Sequence, residues 1–333
     1  MTALVLSLIL LGLTSARADW QTRPLNTLAS FKDVFFLNEN RGWIVGANGA
    51  IFSTLDGGKM WAPRDRFTSD DLLQIYFTDA DTGWLLCQRN IYMGGSDPIS
   101  YLWKTTDGGH SWSEINFENA GRARVARLLF AKDGSATAFG EGGIFYKLQP
   151  DGVTWKKYNL AIHFLLLDGA LSDNLTGAIV GAGGTIMFTE NGGLTWEHAT
   201  LLGDRETRFN AVYFAGSKLG AWAVGSGGKI FHANGGGRLW RQQNSTVTAD
   251  LNDVGFITPR DGWAVGEDGI MVRTRDSGNT WYYERSPVSH TLQRIFFVNG
   301  HGWAVGYGGT VIYYDPAAKP ADPGFRPQMQ RRG

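Results

Sequence analysis

Apolar and polar residues alternate along this chain in short runs, and the runs return in a fixed order. Val34-Phe35-Phe36, Ile75-Tyr76-Phe77, Val212-Tyr213-Phe214 and Ile295-Phe296-Phe297 each lie in an alternating segment of strand character. Each is followed by a block of the type Gly-Trp-Ala-Val-Gly. These blocks start at Gly42, Gly83, Ala136, Gly177, Ala221, Gly262 and Gly302, so there are seven. A third apolar run, a turn rich in Asp and Gly, and a tryptophan complete the unit. A repeat of about 40 residues holding several short strands is the pattern of propeller blades. The reading is an all-β, seven-bladed propeller with four antiparallel strands per blade. In blade one these are strand A (Asp33 to Phe36), B (Gly42 to Gly46), C (Ala50 to Thr54) and D (from Trp61). Asn48-Gly49, Gly227-Gly228 and Asp268-Gly269 fall at the B–C hairpins, where a positive φ costs Gly and Asn little.

The seventh copy stops at Tyr313-Tyr314-Asp315-Pro316 without its tryptophan strand. Trp20-Gln21-Thr22-Arg23-Pro24-Leu25 stands before the first A strand at the spacing of Trp61, Trp240 and Trp281 from the A strands that follow them. It is therefore expected to supply the missing strand and close the ring, leaving no free sheet edge within it. Repeats spread evenly over residues 19–315 argue for one ring-shaped domain. Trp61, Trp112, Trp155, Trp196, Trp240 and Trp281 share one repeat position and are expected to wedge between blades.

Composition changes this picture at the two ends. Thr2 to Thr14 is apolar and uncharged, and Ala16-Arg17-Ala18 has the small-x-small form of a signal-peptidase site. Residues 1–18 read as a signal peptide, so the protein is expected to be exported, to the periplasm or beyond the cell. Residues 316–333 are rich in Pro and Arg and read as a flexible tail. The 31 Lys and Arg balance 31 Asp and Glu, which argues against bulk electrostatic binding of nucleic acid. Cys87 is the only cysteine; it falls in a B strand and reads as buried.

The turns Thr105-Thr106-Asp107-Gly108-Gly109-His110-Ser111-Trp112 and Thr189-Glu190-Asn191-Gly192-Gly193-Leu194-Thr195-Trp196 resemble the Asp-box of bacterial neuraminidases. The corresponding side chains are Asp56, Asp107, Asp151, Asn191 and Asp276. Their oxygens can accept from backbone N–H groups inside the turn, a structural role that needs no catalysis. Together with Gly-Trp-Ala-Val-Gly, these boxes make the chain from Trp20 to Asp315 resemble the photosystem II stability/assembly factor family of seven-bladed propellers. The resemblance implies an exported, non-enzymatic propeller that binds a membrane or envelope protein during assembly. Photosynthetic members carry an arginine-rich contact patch, part of it after the blade-three tryptophan. Here Trp155 is followed by Lys156-Lys157-Tyr158-Asn159, without arginine.

Asp-boxes also occur in glycoside hydrolases, so a carbohydrate-binding or hydrolase-like propeller is the alternative. A sialidase needs three arginines, a tyrosine nucleophile and an acidic partner, and the expected Arg-Ile-Pro of the first blade is absent. A xyloglucanase needs two propellers facing a cleft. Seven positions should sit near the axis: Asp33, Gln74, Arg127, Asp168, Ala211, Asp253 and Arg294. Their opposite charges are expected to pair. The six histidines are scattered and suggest no metal, and no glycine loop opens a helix to cradle phosphate, so no cofactor is expected.

The D–A and B–C connections share one face, opposite the Asp-boxes, and variation there should mark a docking surface. The largest departure is the B–C connection of blade two, Gln88 to Ser100, with Arg89, Tyr92 and Met93. Arg64, Arg66, Arg122 and Arg124 lie in neighbouring connections, with Arg205 and Arg208 farther round. This surface, on a protein expected to be a monomer, is the candidate contact for its partner.

Overall fold

The computed structural model describes residues 20–89, 98–160, 162–215 and 220–315. They form seven antiparallel sheets in a ring: a seven-bladed β-propeller. Blade one consists of Phe31–Phe36, Gly42–Gly46, Ile51–Thr54 and Ala62–Pro63, in that order from the axis outward. In blade seven, Leu292–Val298, His301–Gly306 and Val311–Tyr314 are completed by Trp20–Thr22, with Trp20 opposite Tyr314 and Thr22 opposite Ile312. The N-terminal strand thus closes the ring.

The Gly-Trp-Ala-Val-Gly block is buried at all five positions in every blade but the third. Its glycines are there for close approach. A Cβ on Gly42 would lie 2.5 Å from the Phe36 ring, and one on Gly46 would lie 2.3 Å from the Ser30 carbonyl oxygen. The block's tryptophan is then pressed face-on against the A-strand phenylalanine of the next blade: Trp43 on Phe77 at 3.9 Å, Trp222 on Phe256 at 4.1 Å, and Trp303 on Phe36 at 3.7 Å. The Asp-box tryptophans meet the same rings edge-on from within their own blade, as in Trp61–Phe36, Trp112–Phe77 and Trp281–Phe256. The B-strand tryptophan thus supplies the stacked contact between blades and the Asp-box tryptophan the edge contact; the latter also reaches the preceding blade, as expected of a wedge, with Trp155 edge-on to Trp84 at 5.7 Å and Trp281 Nε1–H donating to Gln243 Oε1 at 3.0 Å. The edge-on contacts bring the positive edge of one ring to the negative face of the other, and the stacked contacts bury two flat apolar faces against each other.

At the closure Trp20 takes the edge position: it meets Phe297 at 6.0 Å, while Trp263 of blade six stacks on the same ring at 5.3 Å. Trp263 is also covered by the Arg273 guanidinium at 4.2 Å, which Asp261 and Glu284 hold at 2.7 and 3.2 Å. The one departure from four strands is in blade five. There Thr200–Leu202, from the connection out of blade four, lies parallel along the outer strand Leu239–Gln243. This pairing covers an outer sheet edge that would otherwise present unpaired N–H and C=O groups.

Replacing Trp20 by Ala removes a side chain only 6 % exposed. It should destabilise the ring by about 3–5 kcal/mol, the usual range for emptying a large aromatic site. Urea denaturation of the two forms checks this; coincident transitions would mean that the latch does not hold the ring.

Candidate functional site

The Asp-boxes are turns held from inside. In blade two Thr105 Oγ1 donates to Asp107 Oδ1 at 2.7 Å and accepts from the Gly109 amide at 2.9 Å, while Asp107 accepts from the His110 and Ser111 amides at 2.9 Å each. Asp56 repeats this with Thr54 and Met60, Asn191 with Thr189 and Thr195, and Asp276 with Thr274 and Thr280. Asp151 closes a tighter turn by accepting from the Val153 and Thr154 amides. The Ser111 hydroxyl and these amides hold the Asp107 carboxyl well below its ordinary range. All five side chains thus spend their oxygens on the turn, and the threonine two residues before four of them is the partner that the box pattern alone did not single out. Thr274 is fully buried, so Thr274→Val leaves the Gly278 amide without its acceptor at 2.8 Å. The expected cost is about 1–3 kcal/mol, read from the melting temperature; an unchanged value would show that the hydroxyl is dispensable.

On the axis, the inward positions of the A strands build a mixed-charge layer. Arg127 Nε lies 2.9 Å from Asp168, and its Nη1 lies 3.6 Å from Asp33. Arg294 reaches Asp33, Asp253 and Asp168 at 3.1, 3.2 and 3.3 Å. The expected pairing is present, and one arginine spans three carboxylates. Each carboxylate also accepts from the next blade's or an adjacent strand's backbone: Asp33 from Ile75 N–H, Asp168 from Val212 N–H and Asp253 from Ile295 N–H, at 3.0, 3.1 and 2.8 Å. Gln74 makes the neutral version, accepting from Leu128 N–H at 2.7 Å and donating to its carbonyl at 3.0 Å. The layer therefore staples blades together through side chains, where no ladder connects one sheet to the next.

Three aspartates against two arginines leave one negative charge in excess. Burial pushes the Asp253 carboxyl up to about 6, with Asp168 adding to the rise and Arg294 opposing it. The folded state thus holds a proton over the interval in which the unfolded chain, with an ordinary carboxyl near 3.8, has released it. The resulting stability is present below about pH 4 and lost as the pH rises through 6. Asp253→Asn should flatten the stability profile across that window relative to the parent. Parallel profiles from urea denaturation at pH 4, 5, 6 and 7 would contradict this.

The proposed docking residues are distributed around the loop face. The Arg89 guanidinium is engaged within the protein, by the Pro98 carbonyl at 2.9 Å, Glu114 at 3.1 Å and the Tyr101 ring at 4.2 Å. It holds the base of the blade-two insertion. Tyr92 and Met93 lie outside the described residues. Arg64 Nε donates to Ser53 Oγ at 2.7 Å, whereas Arg66, Arg122 and Arg124 are exposed. What the sequence did not assemble is the mouth of the channel on this face. There a hollow of about 340 Å³ is lined by Lys32, Arg124 and Arg208, with Arg127 and Arg294 at its floor, and no acidic side chain among its lining residues. The signal existed: Lys32 sits one residue before the axial Asp33, and Arg124 and Arg208 sit three residues before Arg127 and Ala211. Register, however, was needed to see that they converge.

The sequence profile of the family described as photosynthesis system II assembly factor YCF48 matches residues 13–120, 147–245 and 238–319. A photosystem II assembly lipoprotein, Ycf48 of Synechococcus sp. (strain CC9902), is 25% identical over 285 residues, covering 72% of this chain and 85% of its own length. Among solved structures, YCF48 bound to a D1 peptide superposes with a TM-score of 0.72 at 23% identity, covering 89% of this chain and 94% of that one. A virginiamycin B lyase from Staphylococcus aureus superposes at 0.73 with 15% identity, covering 90% and 99%, a likeness of fold alone. With a profile match that spans most of the ring, seven blades and the Gly-Trp-Ala-Val-Gly blocks in register, the chain belongs to the photosynthesis system II assembly factor YCF48 family.

Proposed function

We propose that this propeller is a non-enzymatic, exported binding protein that holds a membrane or envelope protein during its assembly, and that it does so with the loop face. The observation that carries this reading is the cationic channel mouth. Lys32, Arg124 and Arg208 converge there from blades one, three and five, and no acidic side chain shares the lining with their cationic groups, the nearby Glu141 carboxylate accepting from the Arg124 backbone N–H at 3.3 Å. Unneutralised positive charge in a concave site favours an acidic ligand and speeds its encounter.

Family membership supports the assembly role, and the D1 peptide bound to one structural relative supports a polypeptide ligand from a membrane protein. A leader over residues 1–18 agrees with export, as do relatives named as lipoproteins, although no cysteine lies near its end to carry a lipid. Arg64, Arg66 and Arg122 extend the positive face outward. Against a hydrolase reading, the axial carboxylates are each bound to arginine and backbone amides, leaving no carboxyl pair poised as acid and nucleophile.

Affinity capture from detergent-solubilised envelopes with the mature protein tests this. A double Arg124→Glu, Arg208→Glu form, both positions being exposed, should fold normally and lose the captured membrane protein by about tenfold or more. Equal yields from both forms would place the contact elsewhere, and hydrolysis of sialosides or xyloglucan by the parent would end the non-enzymatic reading.

A further inference from the structure

The axial layer has a second side. The A-strand residues that line the loop-face hollow stand at the axial positions or just before them. Those lining a further cavity, of about 230 Å³, stand at the axial positions or just after them, so this cavity opens toward the Asp-box face. Asp33, Asp168 and Asp253 border it and do not border the loop-face hollow. Its volume exceeds the roughly 150 Å³ that suffices for a benzene-sized solute.

A gap in the repeat makes the room. The position two residues beyond the axial one is Phe35, Tyr76, Tyr213 and Phe296 in blades one, two, five and seven, each opposite the B-strand tryptophan, but in blade six it is Gly255, opposite Trp263. Gly255 is not among the glycines of positive φ, so its backbone conformation does not call for glycine. The missing side chain leaves a recess between Tyr213 and Phe296, just beyond Asp253, where a Cβ would already stand 3.1 Å from the Phe297 ring. The walls of the recess are fixed aromatic rings. Tyr213 stacks on Phe256 at 5.5 Å and its hydroxyl donates to the Phe256 carbonyl at 3.4 Å, while Phe297 is held by Trp263 at 5.3 Å.

The floor is anionic on balance. Arg127 is bound by two carboxylates and Arg294 by three, and with three carboxylates in all on two guanidiniums one negative charge has no counterpart. Among the described residues no group of His, Cys, Asp or Glu side chains is arranged to hold a metal ion. Aromatic faces above an excess carboxylate charge suit an organic ammonium instead, since the ring quadrupoles attract its charge and the carboxylates accept its N–H groups.

We infer that this cavity binds a small primary organic ammonium ion, with its alkyl part in the recess at Gly255 between Tyr213 and Phe296 and its charged end over Asp168 and Asp253. The site lies across the axial layer from the loop-face hollow and does not depend on what docks there. Asp253 is faced by Asp33, Asp168, Arg127 and Arg294, and by Tyr213, whose hydroxyl burial keeps protonated. Binding requires Asp253 ionised, and burial raises its carboxyl to about 6. Occupancy therefore strengthens as the pH rises through that value, and below it the ammonium displaces a proton.

Isothermal titration calorimetry of the purified protein tests this with n-butylammonium chloride, n-butanol as the neutral counterpart and potassium chloride as the inorganic cation, ionic strength being held constant with sodium chloride. The amine should bind at pH 7 about tenfold or more tightly than either comparator. It should bind about tenfold more tightly at pH 7 than at pH 5, the ratio of ionised fractions for a carboxyl near 6. Asp253→Asn should weaken the amine about tenfold and flatten the pH profile, Tyr213→Leu should weaken it about threefold or more, and Tyr213→Phe should leave it unchanged. Equal binding of amine and alcohol, displacement of the amine by potassium at equal concentration, a flat pH profile in the parent, or no binding of the amine would each overturn the assignment. If circular dichroism shows that Asp253→Asn does not fold, the parent pH profile and the two Tyr213 variants still decide.

Discussion

Four of the seven blade interfaces rest on one aromatic contact, repeated: an A-strand phenylalanine stacked on by the B-strand tryptophan of the preceding blade and met edge-on by a tryptophan of its own blade's outer strand. Phe36 lies between Trp303 and Trp61, Phe77 between Trp43 and Trp112, and Phe256 between Trp222 and Trp281. Sheets in a propeller share no backbone ladder with their neighbours, so side-chain packing has to fix their spacing and pitch. A flat ring pressed against a flat ring tolerates only a narrow range of distances. The glycine before the B-strand tryptophan follows from this, since a methyl group at Gly42, Gly83 or Gly262 would stand 2.5 to 2.6 Å from the A-strand phenylalanine of its own blade. Blade three keeps less of the pattern. Its B strand is Ala136–Gly140, without tryptophan, and Gly169 of the next blade comes against Phe139 instead.

A ring built from such contacts has a single seam, closed by strand pairing and not by a covalent link, and the way it is closed explains the terminal sequence. Trp20 reproduces the edge contact that Trp61 or Trp281 makes elsewhere, and its strand supplies three register pairs to Tyr314, Tyr313 and Ile312. The neighbouring Trp263 is held from its other side by Arg273, a buried cation satisfied by Asp261 and Glu284. That ion pair is acceptable inside the protein because both acceptors remain with it, giving bidentate geometry toward Asp261.

The same absence of ladders between sheets explains the charged axis. Where the seven A strands converge, backbone amides at Ile75, Val212 and Ile295 each donate to an aspartate of the preceding blade, and two arginines tie these acceptors to each other. This arrangement performs a structural task and, as a by-product, sets the electrostatics of the two ends of the channel. The loop-face end keeps Lys32, Arg124 and Arg208 unneutralised by any acidic residue in its lining, so a scaffold made for rigidity presents a positively charged hollow at its centre. The Asp-box face differs in kind: its carboxylates are consumed by their own turns, each accepting two or more local hydrogen bonds.

Much of this was written in local sequence. Alternation, the seven glycine-tryptophan blocks and the missing last strand specified blade number, strand order and the closing role of Trp20, because each depends on residues near one another in the chain or on a count of repeats. The axial pairing of Arg127 with Asp168, and of Arg294 with Asp253 and Asp33, followed from repeat position for the same reason. Tertiary structure alone decided which tryptophan stacks on the next blade's phenylalanine and which meets that ring edge-on, since the B-strand and Asp-box tryptophans are both apolar and both regular, and only the stagger of adjacent sheets tells face from edge. It alone decided that Arg89, singled out for its place in an insertion, is consumed by Pro98, Glu114 and Tyr101. Lys32, Arg124 and Arg208, separated by 92 and 84 positions in the chain, meet at one opening because ring closure, a long-range property no local pattern carries, brings blades one, three and five around a common axis.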